Sequence, residues 1–412
     1  MKTAAFMQTH RLDALDGLRG IAICLVVWYH LWQVSWLDPT LRFGNAALSF
    51  VFIPISGFLG VELFFFLSAF CLSYPYVRAH FAGAEMPSLG HFAYRRFIKI
   101  VPSYLLSLLA VIALAYLPGA RGSWGENIDW RSAHAAFVDV VAHLTFAHTF
   151  FFDTYASING VLWTLGIEAQ YYVLFPLLIR LFLRAPLGTA SGMTFSAIVY
   201  RTSIGACCRT PLFDHNLGQL LGFLDFFAAG MLAAFAYGWL QHHEPQIAGK
   251  RRWWTLLAFL SVVWIVLLFE NLTSHRWEDE FENWWLIRNG TFDAAALFAF
   301  GLGSLLAVPS WRKALANRAF VFLALISYNL YLWHQVVFRW VATWPFIPHA
   351  PGIRRGDPVW SWIVTLCGLA IALAVASFVT YVVERPLLRM DPRVVARHFN
   401  SGLRRVALER QE

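Results

Sequence analysis

The chain has 412 residues, of which 58% are hydrophobic, 17% aromatic and only 14% charged, with a formal net charge of +8. So apolar a composition over this length excludes a soluble globular protein and points to a polytopic membrane protein. The surplus cations are scattered over loop ends and a tail rather than gathered on one face, so nucleic acid is set aside as a partner.

Apolar stretches long enough to span a bilayer run at roughly 20 to 37, 48 to 75, 97 to 117, 161 to 183, 218 to 239, 253 to 270, 291 to 308, 319 to 341 and 359 to 384. A tenth, near 192 to 208, is weaker because it is short and holds Arg201. With about ten spans and a cytoplasmic N terminus, 22 of the 32 basic residues fall inside, seven of them arginines after position 384. The loop between Glu270 and Arg288 then lies outside with Glu278, Asp279, Glu280 and Glu282, as the positive-inside rule asks. The predicted architecture is all-α, with both termini cytoplasmic. A membrane domain covers 1–385, and a basic tail, 386–412, lies against anionic lipid. The first span lacks a small-residue cleavage site after it and is read as retained. Residues 120 to 160, broken by His134, Asp139, His143 and His148, are expected on or in the outer surface. The five cysteines show no metal-ligand spacing, and no metal is expected.

Within the first span, LDGLRGIAICLVVWYHLW, ten residues separate Arg19 from His30. Eleven helical steps of about 100° bring His30 to within roughly 20° of the arginine's face, about 16 Å further along the axis. In a hydrocarbon core about 30 Å thick, the histidine lies near mid-depth, where an ionisable group is costly and functional by default. Glu168 lies roughly 10 Å below the outer edge of its span, and the same arithmetic lifts His334, in ISYNLYLWH, roughly 20 Å from the inside. Three helices thus offer titratable groups at one level. Glu62, in GVELFFFLSAF, is lower in the bilayer and reads equally as a structural partner for an arginine. Arg201, Asp225 and Asp293 are expected to pair or lie near loop ends. Arg95, Arg96 and Lys99 gather cations at the cytoplasmic start of the third span, as a topological anchor or a site for a phosphate-bearing ligand.

Six motifs in order resemble the membrane acyltransferase-3 family. They are LDGLRG with Arg19-x10-His30, GxxGVELFFFLSAF at 57–70, RRxxKIxPxY at 95–104, LWTLxxExQxYxxxP at 162–176, ISYNLYLWH at 326–334 and Glu384-Arg-Pro. Two positions depart from the family pattern: Lys99 replaces an arginine, giving a point charge rather than a fork, and Ala69 replaces a glycine, which tightens packing or narrows the cavity. The resemblance implies transfer of an acyl group, acetyl by family habit, from cytoplasmic acyl-CoA to a hydroxyl of an extracytoplasmic or membrane-associated carbohydrate-type acceptor. Acyl-CoA is then a donor substrate, with no permanently bound cofactor. It further implies O-acetylation in a polysaccharide-modifying role, a bacterial cytoplasmic (inner) membrane location and contact with membrane lipid, and it leaves room for a homo-oligomer. His30 is expected as general base, with Glu168 orienting it or binding acceptor, and Arg19 meeting the donor or holding Asp16. Arg95, Arg96 and Lys99 would hold CoA phosphates, and His334, Tyr331, Trp163 and Glu62 would contact substrate. A covalent acyl-histidine route stays open. The alternative class is a secondary transporter or flippase, against which stands the lack of an inverted repeat.

Overall fold

The computed structural model describes residues 13–37, 39–44, 46–115, 130, 132–207, 212–278, 281–350 and 357–389. Most of the predicted basic tail lies outside these, as does much of the segment after residue 115. The long helices are α1 (Asp13–Ser35), α2 (Gly60–Phe81), α3 (Leu89–Ala115), α4 (Ala133–Leu144), α5 (Trp163–Arg184), α6 (Pro186–Cys207), α7 (Leu224–His243), α8 (Arg251–His275), α9 (Phe281–Leu306), α10 (Arg318–Ala342) and α11 (Pro358–Val379). Strands among the described residues are confined to one antiparallel hairpin, β1 (Thr40–Phe43) with β2 (Ala46–Ser49), in which Thr40 faces Ser49. The chain is an all-α, multi-pass integral membrane protein.

Eight helices among the described residues, α1, α2, α3, α5, α7, α8, α10 and α11, are long and apolar enough to cross a membrane. A ninth span results if α9 is joined to Pro309–Leu315, across a bend of 116°. The weak tenth stretch forms α6, whose 22 residues give about 33 Å of helix, enough to span by length. Its Arg201 is fully buried and forked onto Asp225 of α7, at 3.1 Å from Nη1 to Oδ1 and 2.6 Å from Nη2 to Oδ2. That pairing neutralises the charge that made the segment look unfit for lipid. Asp293 does not join it, and its Oδ2 has no partner among the described residues. The second span starts later than its apolarity suggested: β2 and a short helix, Phe52–Ile55, occupy the first part, and the membrane helix begins only after Ser56 and Gly57.

Close helix contacts set the frame. A Cβ on Gly20 of α1 would lie 2.5 Å from the carbonyl oxygen of Phe320, so glycine lets α1 and α10 approach side by side. Gly230 of α7 likewise admits α2, and the methyl of Ala69 packs against it. The family-atypical alanine therefore fills a helix interface and leaves the cavity between the helices untouched. One face of the bundle, where α1, α3, α8 and α10 begin and α2, α5 and α7 end, carries Arg78, Arg95, Arg184, Arg251, Arg312 and Arg318 and is the basic face of the molecule.

At the opposite face α4 and the turns after it make a cap. Asp139 accepts hydrogen bonds from Trp130 Nε1 at 2.7 Å and Ser157 Oγ at 2.6 Å, with His143 Nδ1 at 3.1 Å. Burial opposes its charge, yet these bonds from His143, Ser157 and Trp130 outweigh it and hold the carboxyl below the usual carboxylate range. His143 stacks on His148 with centroids 4.2 Å apart, and His148 Nε2 donates to the Leu162 carbonyl at 3.0 Å. Burial first, and the neighbouring His143 second, push the His148 imidazole down to about 3. Because the unfolded histidine titrates near about 6.5, the unfolded chain binds more protons below that pH; the contribution is complete above it and is lost as pH falls toward 3. Asp139, also depressed, adds a loss only below about pH 4. Melting of the detergent-solubilised protein should thus fall steadily from pH 7 to 4.5, with a flatter slope in His148→Gln. Equal slopes in the two proteins would remove this role.

Candidate active site

A cavity of about 420 Å³ lies between α1, α2, α3, α5 and α10. Helix direction orders its lining. Arg95, Arg96, Arg385 and Leu388 lie toward the basic face. Arg19, Ser68, Lys99, Glu168, Tyr172, Ser327 and Tyr328 form the middle, and Val61, Thr164 and Tyr331 close the far end, with Phe64, Phe65 and Leu165 just below. Cations and hydroxyls thus line one end and the middle, and aromatic and aliphatic groups narrow the other.

Arg95 is exposed, while Arg96 lies partly buried with its guanidinium 5.9 Å from the centroid of the Tyr172 ring. Lys99 differs from both: it is ion-paired with Glu384, whose Oε2 accepts from Asn329 Nδ2 at 2.8 Å. Glu384 reaches inward because α11 continues into a π-helical turn, Thr380–Glu384, whose Thr380 also accepts from Asn329 at 2.9 Å. Lys99 therefore lines the cavity with its charge already matched. Arg385, next in the chain, supplies a cation at the mouth and stacks on Tyr381 at 4.7 Å.

Higher in the cavity, Ser68 of α2 donates to Glu168 of α5. Arg19 lines the same space, with Nη1 3.8 Å from Asp16 and Nη2 3.5 Å from Cys71 Sγ. Arg19 thus lines the cavity while its guanidinium lies near Asp16. Glu168 belongs to the cavity and bonds α2, not His30.

His30 and His334 are brought together: His334 Nε2 lies 3.1 Å from His30 Nδ1, with ring centroids 4.8 Å apart. Neither lines the cavity. Tyr331 lies between, lining the cavity with its ring centroid 5.7 Å from that of His334. Its hydroxyl is held by Thr164 Oγ1 at 2.7 Å and donates to the Val161 carbonyl at 3.2 Å, so the ring is latched to the start of α5. His334 is fully buried, whereas His30 keeps part of its surface exposed. Trp163 points elsewhere, toward Tyr155 and Phe223 at 5.7 and 5.9 Å. Glu62 is buried off the cavity, with Oε2 unpartnered among the described residues.

Ser68, Thr164, Tyr172, Tyr328 and Arg385 join the cavity without having been singled out from the sequence. All five lay inside the family motifs: Ser68 in the 57–70 motif, Thr164 and Tyr172 in the 162–176 motif, Tyr328 in ISYNLYLWH and Arg385 in Glu384-Arg-Pro, and that was a usable signal. Apart from its motif Ser68 carried no signal, since a lone hydroxyl in a membrane helix usually bonds its own backbone.

The Lys99–Glu384 pair gives a direct test. Glu384→Gln leaves Lys99 charged without its counter-charge, at a cost of about 3 kcal/mol, the low end for a buried pair because the lysine side chain keeps 33% exposure. Adding Lys99→Met should restore at least half of the melting temperature lost, as read by thermal unfolding in detergent. A double variant less stable than the single would contradict the pairing.

A family model described as an acyltransferase domain matches residues 12–382. Nodulation protein 10 of Rhizobium leguminosarum bv. viciae is 25% identical over 414 residues, covering 95% of this chain and 97% of that protein. A Staphylococcus aureus (strain COL) protein named as a candidate O-acetyltransferase is 24% identical over 403 residues, 92% of this chain; that alignment spans only 58% of the relative's own length. A candidate acetyltransferase of Acidianus two-tailed virus is 26% identical over 337 residues, covering 80% of this chain and 84% of the relative. No solved structure matches. Since the family match covers most of the chain, including α1, α2, α3, α5 and α10 around the cavity and both histidines, the chain belongs to the membrane acyltransferase-3 family and is an integral membrane acyltransferase.

Proposed function

We propose that this protein moves an acyl group, acetyl by family habit, from acyl-CoA at the basic face to a hydroxyl approaching from the opposite face. One observation carries the reading: a cavity that begins among Arg95, Arg96 and Arg385 ends at Tyr331, directly against the His334–His30 pair. The basic face is the cytoplasmic one by the positive-inside rule, which supports a bacterial cytoplasmic membrane location and a cytoplasmic donor. Guanidinium forks suit the phosphates of CoA. The pantetheine arm, with two amides on an otherwise apolar chain, suits a channel in which Glu168 and Ser68 alternate with Phe64, Phe65 and Leu165. Lys99, matched by Glu384, shapes this channel more than it binds phosphate.

The acceptor oxygen attacks the thioester carbonyl while His30 takes its proton. The new C–O bond forms, the C–S bond breaks, and the proton passes from His30 to the departing sulfur, so CoA leaves as the thiol. For this the Tyr331 ring turns aside and releases Thr164, joining cavity and histidines. A hydroxyl acceptor is supported by the O-acetyltransferase name of the staphylococcal relative; its carbohydrate-type class rests on the family resemblance, and the partial exposure of His30 gives it a place to arrive.

Two measurements test the reading. Deleting the gene should remove O-acetyl groups from surface glycans by mass spectrometry; wild type should restore them, and a normally inserted His30→Ala, about 10²-fold slower, should not. Arg95→Gln with Arg96→Gln should weaken acetyl-CoA binding to the purified protein about tenfold and blunt its salt dependence. Glycans unchanged on deletion would sink the acceptor class; acetyl-CoA affinity unchanged in the double variant would return the two arginines to a topological role.

A further inference from the structure

We infer that His334 is a positioning residue, which fixes the tautomer in which His30 presents Nε2 as the base; this rests on the proposed role of His30 in acyl transfer. The hydrogen bonds leave one all-neutral arrangement. His334 Nδ1 faces the carbonyl oxygens of Tyr331 at 2.8 Å and Leu330 at 3.0 Å. Carbonyls only accept, so Nδ1 carries the proton and Nε2 of the neutral ring is a lone pair. That lone pair points at His30 Nδ1, which is also 2.9 Å from the Val26 carbonyl. With two acceptors before it, His30 Nδ1 must be the protonated nitrogen, shared between them.

The lone pair of His30 is then on Nε2. No described residue bonds that atom, and it belongs to the ring that keeps partial exposure while its partner is fully buried. The alternative tautomer would set the Nδ1 lone pair against the Val26 carbonyl and turn an N–H, rather than a base, toward the incoming hydroxyl. When His30 takes the acceptor proton, its Nδ1–H stays bonded to His334 and Val26, so the new cation forms between groups already aimed at it. A carboxylate performs this orienting task in serine-hydrolase triads, and in this protein a neutral imidazole takes its place. Glu168, the other residue suited to the task, is occupied by Ser68 in the cavity. A neutral orienter also avoids placing a second full charge at this depth.

The test uses the full-length protein in lipid nanodiscs, with acetyl-CoA and the surface-glycan fraction of the deletion strain, and follows thiol release. His334→Phe, which keeps a ring beside Phe338 but offers no acceptor, should lower the rate about 10²-fold with acetyl-CoA affinity unchanged. His334→Gln, whose amide oxygen can accept from His30 Nδ1, should run about tenfold faster than the Phe variant. Since His334 acts only through His30, the His30→Ala/His334→Phe double variant should match His30→Ala within about threefold. Losses that multiply in the double variant, a folded His334→Gln no faster than His334→Phe, or a His334→Phe enzyme near wild-type rate would each overturn the inference. A wild-type protein that releases no thiol would instead remove the acyl-transfer reading on which it stands, and a fully active His30→Ala would remove the proposed base role of His30.

Discussion

The ion pair between Lys99 and Glu384 decides where this protein can hold a cavity. A charge within the span of a membrane protein persists only if it is matched, and the match joins α3, α10 and the end of α11 at one point. Asn329 and Thr380 complete the knot. The π-turn is what makes it possible: one extra residue in a helical turn rotates the succeeding residues by about 100°, and the rotation carries Glu384 inward. With Lys99 matched by Glu384 and Arg19 set 3.8 Å from Asp16, the remaining lining cations, Arg95, Arg96 and Arg385, sit around the mouth. The cavity floor is therefore nearly neutral while its entrance is positive.

Above that floor the molecule separates two environments. The cavity and the histidine pair lie on either side of one aromatic ring, latched through its hydroxyl to the start of α5. In the proposed reaction, a thioester below Tyr331 would be kept from water arriving beyond it. The histidines, for their part, are oriented by backbone carbonyls of their own helices, so their geometry does not depend on whether a donor is bound.

Much of this was legible from the residues because polar groups are expensive at membrane depth. Glu168 was singled out on that ground, Arg19 through the helix face it shares with His30, and Arg95 and Arg96 as a cation cluster at the cytoplasmic start of their span; all four line the cavity. Depth is only one coordinate, however. Rise along a helix put His30, Glu168 and His334 at one level, but it does not say which neighbour each faces; packing of α1 on α10 gave His30 to His334 and left Glu168 to Ser68. The partner of Lys99 lies 285 residues away and reaches it through a π-turn that no periodicity announces. The early start expected for the second span failed for a different reason. Apolar residues continue through β2 and Phe52–Ile55, and apolarity alone does not distinguish a hairpin at the interface from helix within lipid.

The Arg201–Asp225 fork bears on how the chain is built into its membrane in the first place. On insertion scales an arginine at mid-helix costs about 2.5–3.5 kcal/mol, and α6 has too little apolar surface to offset it. Its counter-charge is the second residue of α7, which leaves the ribosome only after α6 has been made. Insertion of the two helices as a pair would spare α6 this cost, with α6 held at the channel or against earlier helices until Asp225 arrives.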